Sequence, residues 1–169
     1  MSRTLVLLRH AKSAWPDDVA DRDRPLAGRG RRDAPEVGRW LRRHGVVPQV
    51  ALVSSARRAV QTYDLVAAEI PGAPDPTVTD DAYGASAGDL LELVRSLRSG
   101  VENAIVVAHN PGIGTLANIL DDESSAVAER ARMRHEFPTS ALAVFELPSA
   151  WSELDPGVAR LTAFAVPRG

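Results

Sequence analysis

The sequence contains no cysteine, and this absence removes several kinds of chemistry at once. Disulfide bonds, zinc sites built from thiolates and cysteine nucleophiles are all excluded. No run of eighteen or more apolar residues is present, so the sequence predicts no membrane-spanning helix. A charged and apolar leader of the secretory type is also missing from the sequence, and we therefore expect a cytoplasmic location.

The sequence also lacks an excess of positive charge, because its formal net charge is -2. Such a balance creates no field that attracts nucleic acid or an anionic membrane, and we expect neither as a partner. Lysine is almost missing, since Lys12 is the only one among 20 basic residues. Aromatic residues make up only 5%, but hydrophobic residues make up 44% of the 169 residues, which is typical of a folded domain. We expect one domain over residues 1–169.

Short apolar strands alternate with helical patterns along the chain. Strands are predicted at residues 4–8, 50–53, 104–108, 141–147 and 158–166. Helices are predicted at residues 33–44, in the segment that ends at 70, at 90–97 and at 115–120. Residues 121–136 are predicted to form a surface loop with one irregular helix around 127–133. This alternation predicts a three-layer α/β domain with a mainly parallel central sheet.

Three of these strands run directly into residues that suit a phosphoryl group. The pairs that follow the three strands are, in order, Arg9 and His10, Arg57 and Arg58, and His109 and Asn110. Arginine presents a planar fork of donors to phosphate oxygens, and neutral imidazole presents a lone pair for nucleophilic attack. Because the carboxyl ends of adjacent parallel strands meet at one crevice, the three pairs predict a single phosphate site there.

A loop rich in proline and aspartate follows the first of these pairs and is predicted to form a wall of the site. Within it, Asp23, Arg24 and Pro25 are expected to lock the loop through ion pairing and a fixed φ angle. We expect these residues to support the wall rather than to contact the substrate.

Beyond these patterns, the sequence resembles the histidine phosphatase superfamily, which includes the phosphoglycerate mutases. Three motifs carry the resemblance in the family's order: residues 8–11 (LRHA), Ser54 with residues 58–62 (RAVQT), and residues 107–111 (VAHNP). Residues 23–26 (DRPL) with Gly30, and residues 138–141 (PTSA), are similar to the small SixA-type phosphohistidine phosphatase branch. The resemblance covers nearly the whole chain, and it implies a phosphoglycerate mutase-like fold and a phosphatase that needs no metal or other cofactor.

The resemblance also implies a role for each matching residue. His10 is expected to be the nucleophile that holds the phosphoryl group as a covalent phosphohistidine, which water then hydrolyses. Arg9, Arg58 and His109 are expected to surround the equatorial oxygens, with His109 protonated for this purpose. The full set expected to bind the phosphoryl group is Arg9, Arg58, His109, Ser13 and Asn110.

The sequence departs from the family pattern in two places. Ala11 stands where the commonest family signature has glycine, as it often does in the SixA-like branch, and we expect activity to be intact. The glutamate that many members use as proton donor is replaced by Asp80 and Asp81, of which Asp81 is the preferred candidate; the alternative is that both are turn residues. A site with a poor proton donor favours phosphohistidine as the substrate, because an imidazole leaving group needs less acid assistance than an alkoxide.

We therefore expect a phosphatase that acts on protein phosphohistidine, with a phosphorylated protein as its partner and a monomer or weak dimer as its state. A small-molecule phosphomonoesterase acting on phosphate esters is one alternative, and a non-catalytic phosphate-binding or partner-docking domain is another. Two weaker alternatives are a metal hydrolase that uses His10, His109 and nearby aspartates as ligands, and a nucleotide-binding module built on the glycines of residues 112–114.

Overall fold

The apolar runs of the sequence form the strands of one sheet in the computed structural model, which describes residues 2–169. The strands are β1 (Arg3–Arg9), β2 (Val50–Ser54), β3 (Pro76–Thr79), β4 (Asn103–Ala108), β5 (Leu142–Leu147) and β6 (Arg160–Ala165). The α-helices are α1 (Gly28–Arg43), α2 (Arg57–Ala67), α3 (Ala87–Arg95), α4 (Gly112–Leu120) and α5 (Val127–His135). The predicted α/β domain is confirmed.

The sheet is mainly parallel, as predicted, and β1 lies inside it. The strand order is β3-β2-β4-β1-β5-β6, and the first four strands in this order are mutually parallel. β5 pairs antiparallel with β1, and β6 pairs antiparallel with β5. No crossover helix connects β5 to β6, and parallel pairing of consecutive strands requires such a connection.

Both faces of the sheet are covered by helices, and β1 shows why its sequence is continuously apolar. Leu5 and Leu7 point into the core formed with α3, α4 and α5, whereas Val6 and Leu8 point into the core formed with α1 and α2. All four residues are buried. A strand enclosed on both faces needs apolar side chains at every position.

The helix predicted from Asp33 begins five residues earlier, at Gly28. The first turn of the helix contains two glycines, and the helix also contains Pro35. The local helix propensity is therefore low in the first half of the helix. Packing of its buried face against the sheet overrides that low propensity. Within residues 2–169, no helix is both long enough and apolar enough to cross a membrane.

Gly38 determines how closely α1 approaches the end of α2. A Cβ atom at this position would lie 2.3 Å from the Val66 carbonyl oxygen and 2.8 Å from the Glu69 Cβ. No side chain fits at these distances, so glycine is what lets the two helices lie side by side on the same face of the sheet.

We expect Gly38→Ala to lower the free energy of unfolding by about 1–3 kcal/mol, because the added methyl group forces α1 away from α2. Gly88→Ala in α3 is the matched control, since the nearest atom to its added Cβ is the Ser86 Oγ at 3.8 Å. Alanine favours a helix there, so this control is expected to keep or raise stability. Urea denaturation followed by circular dichroism measures both variants, and equal stabilities would contradict the close approach at Gly38.

Candidate active site

The parallel pairing of β1 with β4 brings the two histidines of the sequence motifs side by side. Arg9 lies opposite Ala108, and the His10 backbone N–H donates to the Ala108 carbonyl at 3.1 Å. His109 is the next residue after β4, and the centroids of the two imidazole rings are 5.0 Å apart. β2 lies on the other side of β4 and leads into α2, which begins with the arginine pair. The three strand ends therefore meet at one edge of the sheet, as the sequence predicts.

A cavity of about 190 Å³ opens at this edge, and we refer to it as the phosphate pocket. It is lined by Arg9, His10, Lys12, Ser13, Trp15, Arg24, Arg58, His109, Asn110 and Thr139. Four of these side chains are cationic, and none of the lining residues is a carboxylate. Such a lining favours a small anion. Every residue that the sequence predicted for phosphate binding lies in this wall.

The His10 imidazole is buried and held in one orientation. Its Nδ1 lies 2.7 Å from the Ala11 carbonyl oxygen. Because a carbonyl only accepts hydrogen bonds, Nδ1 carries the proton and Nε2 keeps a free lone pair. Burial, reinforced by the positive charges of Arg58 and Arg9, lowers the pKa of His10 to about 3. The imidazole is therefore neutral at pH 7, which is the state that a nucleophilic histidine requires.

His109 is also neutral at pH 7 when no phosphoryl group is bound, and its protonation during catalysis stays a prediction. Its Nε2 lies 2.7 Å from the Ser54 hydroxyl, and Arg58 Nη2 donates to its Nδ1 at 3.4 Å. Because a guanidinium only donates, Nδ1 is unprotonated and Nε2–H donates to Ser54. Burial and the adjacent Arg58 charge lower the pKa of His109 to about 4. A dianionic phosphoryl group in the pocket would raise this pKa, because an opposite charge favours the protonated imidazole.

Asp21 is a site residue that the sequence did not single out. Arg58 donates to its backbone carbonyl at 2.7 Å and to its carboxylate at 3.1 Å. The same carboxylate accepts the Tyr83 hydroxyl at 2.6 Å and an Arg24 N–H at 2.9 Å. The Tyr83 hydrogen bond and the two guanidiniums hold the pKa of Asp21 well below its usual range. Its position three residues before Arg24, in a loop predicted to wall the site, is the signal that could have found it.

Arg24 locks this loop, as predicted, but it also reaches the phosphate pocket. Its ion pair is with Asp21 rather than with Asp23. Its Nε donates to the Ala14 carbonyl at 3.0 Å, and its Nη2 donates to the Ser13 hydroxyl at 2.5 Å. The guanidinium is therefore fixed in the pocket wall, where the sequence predicted only a supporting role.

The segment after α5 is tied to two strand ends through the Phe137 carbonyl. That oxygen accepts from Arg9 Nη1 at 3.1 Å and from Asn110 Nδ2 at 2.7 Å. Asn110 Oδ1 accepts from the Gly114 N–H at 3.2 Å. The oxygen and the nitrogen of this side-chain amide are therefore both hydrogen-bonded within the protein. Only its second N–H is left for a phosphoryl oxygen. Thr139, two residues beyond Phe137, lines the phosphate pocket.

The two aspartates considered as proton donors lie beside the phosphate pocket rather than in its wall. Asp80 and Asp81 line a second cavity, of about 510 Å³, together with Tyr83. The Asp80 carboxylate pairs with Arg22 at 3.0 Å. Tyr83 also meets the His109 ring edge-on, with centroids 5.8 Å apart, and so stands between the two cavities. The role of Asp81 as proton donor stays a prediction.

The glycines of residues 112–114 are explained by close packing within the protein. A Cβ at Gly112 would lie 2.1 Å from the Ala85 carbonyl oxygen, and one at Gly114 would lie 2.9 Å from the Asn110 Oδ1. These glycines let the start of α4 pack closely against Ala85 and Asn110 of the same protein. Close packing therefore explains the glycines without a bound nucleotide. Within residues 2–169, no group of three or more histidine, aspartate or glutamate side chains is arranged to hold a metal ion.

Comparison with known proteins relates the chain to one family. The family model described as histidine phosphatase superfamily, branch 1, matches residues 5–94. An uncharacterised protein of Mycobacterium tuberculosis is 40% identical over 164 residues, which cover 95% of this chain and 100% of that protein.

Solved structures agree with the sequence comparison. A protein of Nakamurella multipartitia assigned as the phosphohistidine phosphatase SixA aligns with a TM-score of 0.87 at 30% identity, covering 99% of this chain and 97% of that chain. A second protein assigned as SixA, from Agrobacterium tumefaciens, aligns with a TM-score of 0.80 at 28% identity, covering 98% of each chain. The resemblance to the SixA-type branch, expected from residues 23–26 and 138–141, is confirmed.

The two lowered histidine pKa values predict that the protein loses stability in mild acid. In the unfolded chain a histidine binds its proton near pH 6.5, whereas His10 and His109 in the folded chain do so only near pH 3 and pH 4. Between pH 6.5 and pH 4.5 the unfolded state therefore binds more protons, and the free energy of unfolding falls as the pH falls. We expect a loss on the order of 2 kcal/mol for each of the two imidazoles over this interval.

The double variant His10→Asn, His109→Asn is expected to flatten this dependence, because asparagine does not titrate. Urea denaturation of the wild type and the variant at pH 6.5, 5.5 and 4.5 measures the two slopes. Equal slopes would show that the acid sensitivity comes from other groups.

Proposed function

The chain belongs to the histidine phosphatase superfamily, branch 1, and is a phosphatase; we propose that it hydrolyses phosphohistidine in proteins with His10 as its nucleophile. The observation that carries the proposal is the neutral, oriented imidazole of His10 in a pocket lined by cations. The proteins of Nakamurella multipartitia and Agrobacterium tumefaciens assigned as phosphohistidine phosphatases support the choice of substrate.

In the first step of the proposed reaction, the Nε2 lone pair of His10 attacks the phosphorus of the substrate phosphohistidine. A phosphorus–Nε2 bond forms while the phosphorus–nitrogen bond of the substrate breaks. The electron pair of the broken bond returns to the substrate imidazole, which takes up a proton from solvent water. Positive charge develops on the His10 ring, and the Ala11 carbonyl at 2.7 Å from Nδ1 stabilises it.

Arg9 and Arg58, together with His109 once the bound phosphoryl group has raised its pKa and protonated it, are proposed to stabilise the negative charge on the three equatorial oxygens during this transfer. The guanidinium of Arg58 is already fixed by Asp21, and that of Arg9 by the Phe137 carbonyl, so little reorganisation is needed. Electrostatic stabilisation is most effective when the charged groups are placed in advance.

In the second step, water attacks the phosphorus of phosphorylated His10. The phosphorus–Nε2 bond breaks and its electron pair returns to Nε2, so the nucleophile is regenerated. The water oxygen leaves as part of inorganic phosphate, and the water gives up one proton to solvent, which balances the proton taken up in the first step. The net reaction is phosphohistidine plus water to histidine plus phosphate. Division of one displacement into two easier ones is the advantage of covalent catalysis.

The composition of the pocket wall supports phosphohistidine over a phosphate ester as the substrate. No carboxylate is among the residues that line the phosphate pocket. An alkoxide leaving group depends strongly on a proton donor, whereas an imidazole leaves with less assistance. A pocket rich in cations and poor in acids therefore matches a phosphorus–nitrogen bond better than a phosphorus–oxygen bond.

We expect His10→Ala to abolish turnover, with phosphate release at least about 1000-fold slower than in the wild type. The substrate is a carrier protein phosphorylated on histidine with radioactive phosphate, and the reaction is quenched early in base. Wild type is expected to carry acid-labile label, and His10→Ala none. His44→Ala is the matched control, because His44 stacks on Trp40 and does not line the phosphate pocket; it is expected to label normally.

Other results of this labelling experiment would favour one of the alternative functions. Phosphate release by the wild type without any label on the enzyme would rule out the covalent route. Faster loading from small phosphate esters than from the phosphorylated protein would favour a small-molecule phosphomonoesterase. If no donor yields phosphate while inorganic phosphate still binds, the domain is a non-catalytic phosphate-binding module.

Asp81 is proposed as the proton donor for those substrates that need one. We expect Asp81→Asn to slow hydrolysis of an alkyl phosphate by about 100-fold, since proton transfer to the leaving oxygen is lost. Hydrolysis of protein phosphohistidine is expected to stay within about twofold of the wild type. Asp80→Asn is the control, because Asp80 is paired with Arg22. Steady-state kinetics with both substrates measure the effect, and unchanged hydrolysis of the alkyl phosphate would remove Asp81 from the mechanism.

A further inference from the structure

Trp15 lies at the mouth of the phosphate pocket with its indole exposed. The residue is 75% exposed, whereas Trp151 is buried and Trp40 is stacked on His44. Trp15 nevertheless lines the same cavity as His10. The nucleophile is thus at the buried end of the pocket, and the indole is at the open end.

The indole is held in place by the arginine that also lines the pocket. The guanidinium carbon of Arg24 lies 3.3 Å from the centroid of the Trp15 ring. That guanidinium is itself fixed, because it donates to the Ala14 carbonyl, to Asp21 and to Ser13. A cation over the face of a tryptophan is an attractive arrangement. One face of the indole is therefore covered by Arg24, and the other faces solvent at the pocket mouth.

In-line phosphoryl transfer directs the leaving group of the substrate toward the mouth of the pocket, which the Trp15 indole lines. The attacking and leaving atoms lie roughly in line through the phosphorus. With Nε2 of His10 attacking from the buried end, the leaving group extends toward the open end, where Trp15 stands. A flat ring that leaves in this direction meets an aromatic surface that has already been oriented, and aromatic rings attract one another in stacked and edge-on arrangements.

We propose that the open face of Trp15 binds the leaving group of the substrate and selects phosphoryl donors whose leaving group is a flat ring, such as imidazole. This inference rests on the proposed function, because it assumes that His10 receives the phosphoryl group. Trp15 is then a specificity-determining residue: it contacts the part of the substrate that leaves, and the cationic wall contacts the part that is transferred.

The test compares two donors that share a phosphorus–nitrogen bond and differ in the ring. Phosphoimidazole carries the ring, and phosphoramidate does not. For each enzyme, kcat/KM is measured with both donors, and their ratio cancels changes that affect phosphoryl transfer in general. Trp15→Ala is expected to lower the ratio of phosphoimidazole to phosphoramidate by about fivefold. Trp15→Phe is expected to keep the ratio within about twofold of the wild type, because phenylalanine preserves an aromatic face.

Trp40→Ala is the matched control, since it removes a tryptophan that does not line the phosphate pocket. It is expected to leave the ratio unchanged even if it lowers stability, and thermal unfolding of each variant monitors stability separately.

The possible results separate failure of the inference about Trp15 from failure of the proposed function. An equal loss with both donors in Trp15→Ala would mean that the indole only positions Arg24, and the inference would be wrong. No loss with either small donor would also overturn the inference. If the loss is then confined to a histidine-phosphorylated carrier protein, Trp15 is assigned to contact with the protein partner. If the wild type transfers phosphate from neither donor nor from the carrier protein, it is the proposed function that fails.

Discussion

The pairing of β1 with β4 is the constraint on which the site depends. Because the His10 N–H donates to the Ala108 carbonyl, the two imidazoles reach a separation of 5.0 Å through the sheet itself. A slip of one residue in this register would turn every side chain of β1 to the opposite face and separate His10 from His109. Strands on both sides of β1 hold the register, since β4 pairs along one edge and β5 along the other.

The concentration of positive charge at this edge of the sheet explains why the loop that contains Asp21 packs against it. Arg58 is buried, and a buried guanidinium without a counter-charge is strongly destabilising. Asp21 provides the counter-charge from the loop and leaves the lining of the phosphate pocket free of carboxylates. His10 and His109 add no repulsion of their own, because burial keeps both of them neutral at pH 7.

The sequence was informative wherever the relevant pattern was local. The strand and the residues that follow it are contiguous in each motif, so the convergence of Arg9, Arg58 and His109 could be predicted from three short stretches. Asp21 could not be predicted in the same way, because its partners Arg58 and Tyr83 are 37 and 62 residues away along the chain. The protonation of His109 depends on burial and on a neighbouring charge, and neither is readable from the motif.

The same distinction applies to the fold. The alternation of apolar strands and helical patterns predicted the α/β class and the mainly parallel sheet. The start of α1 was missed because its glycines and Pro35 weaken the local signal that packing then overrides. The antiparallel pairing of β5 with β1 joins segments that are far apart in the sequence, so no local pattern predicts it.

The interior position of β1 has a consequence for how the protein is made. β1 ends at Arg9, whereas β4 begins at Asn103 and β5 begins at Leu142. Its two neighbours in the sheet are therefore synthesised long after it, and their pairing closes long loops, which slows folding. His10 and the arginines of the pocket wall are therefore synthesised before β4 and β5, and the site is complete only when both strands have paired with β1.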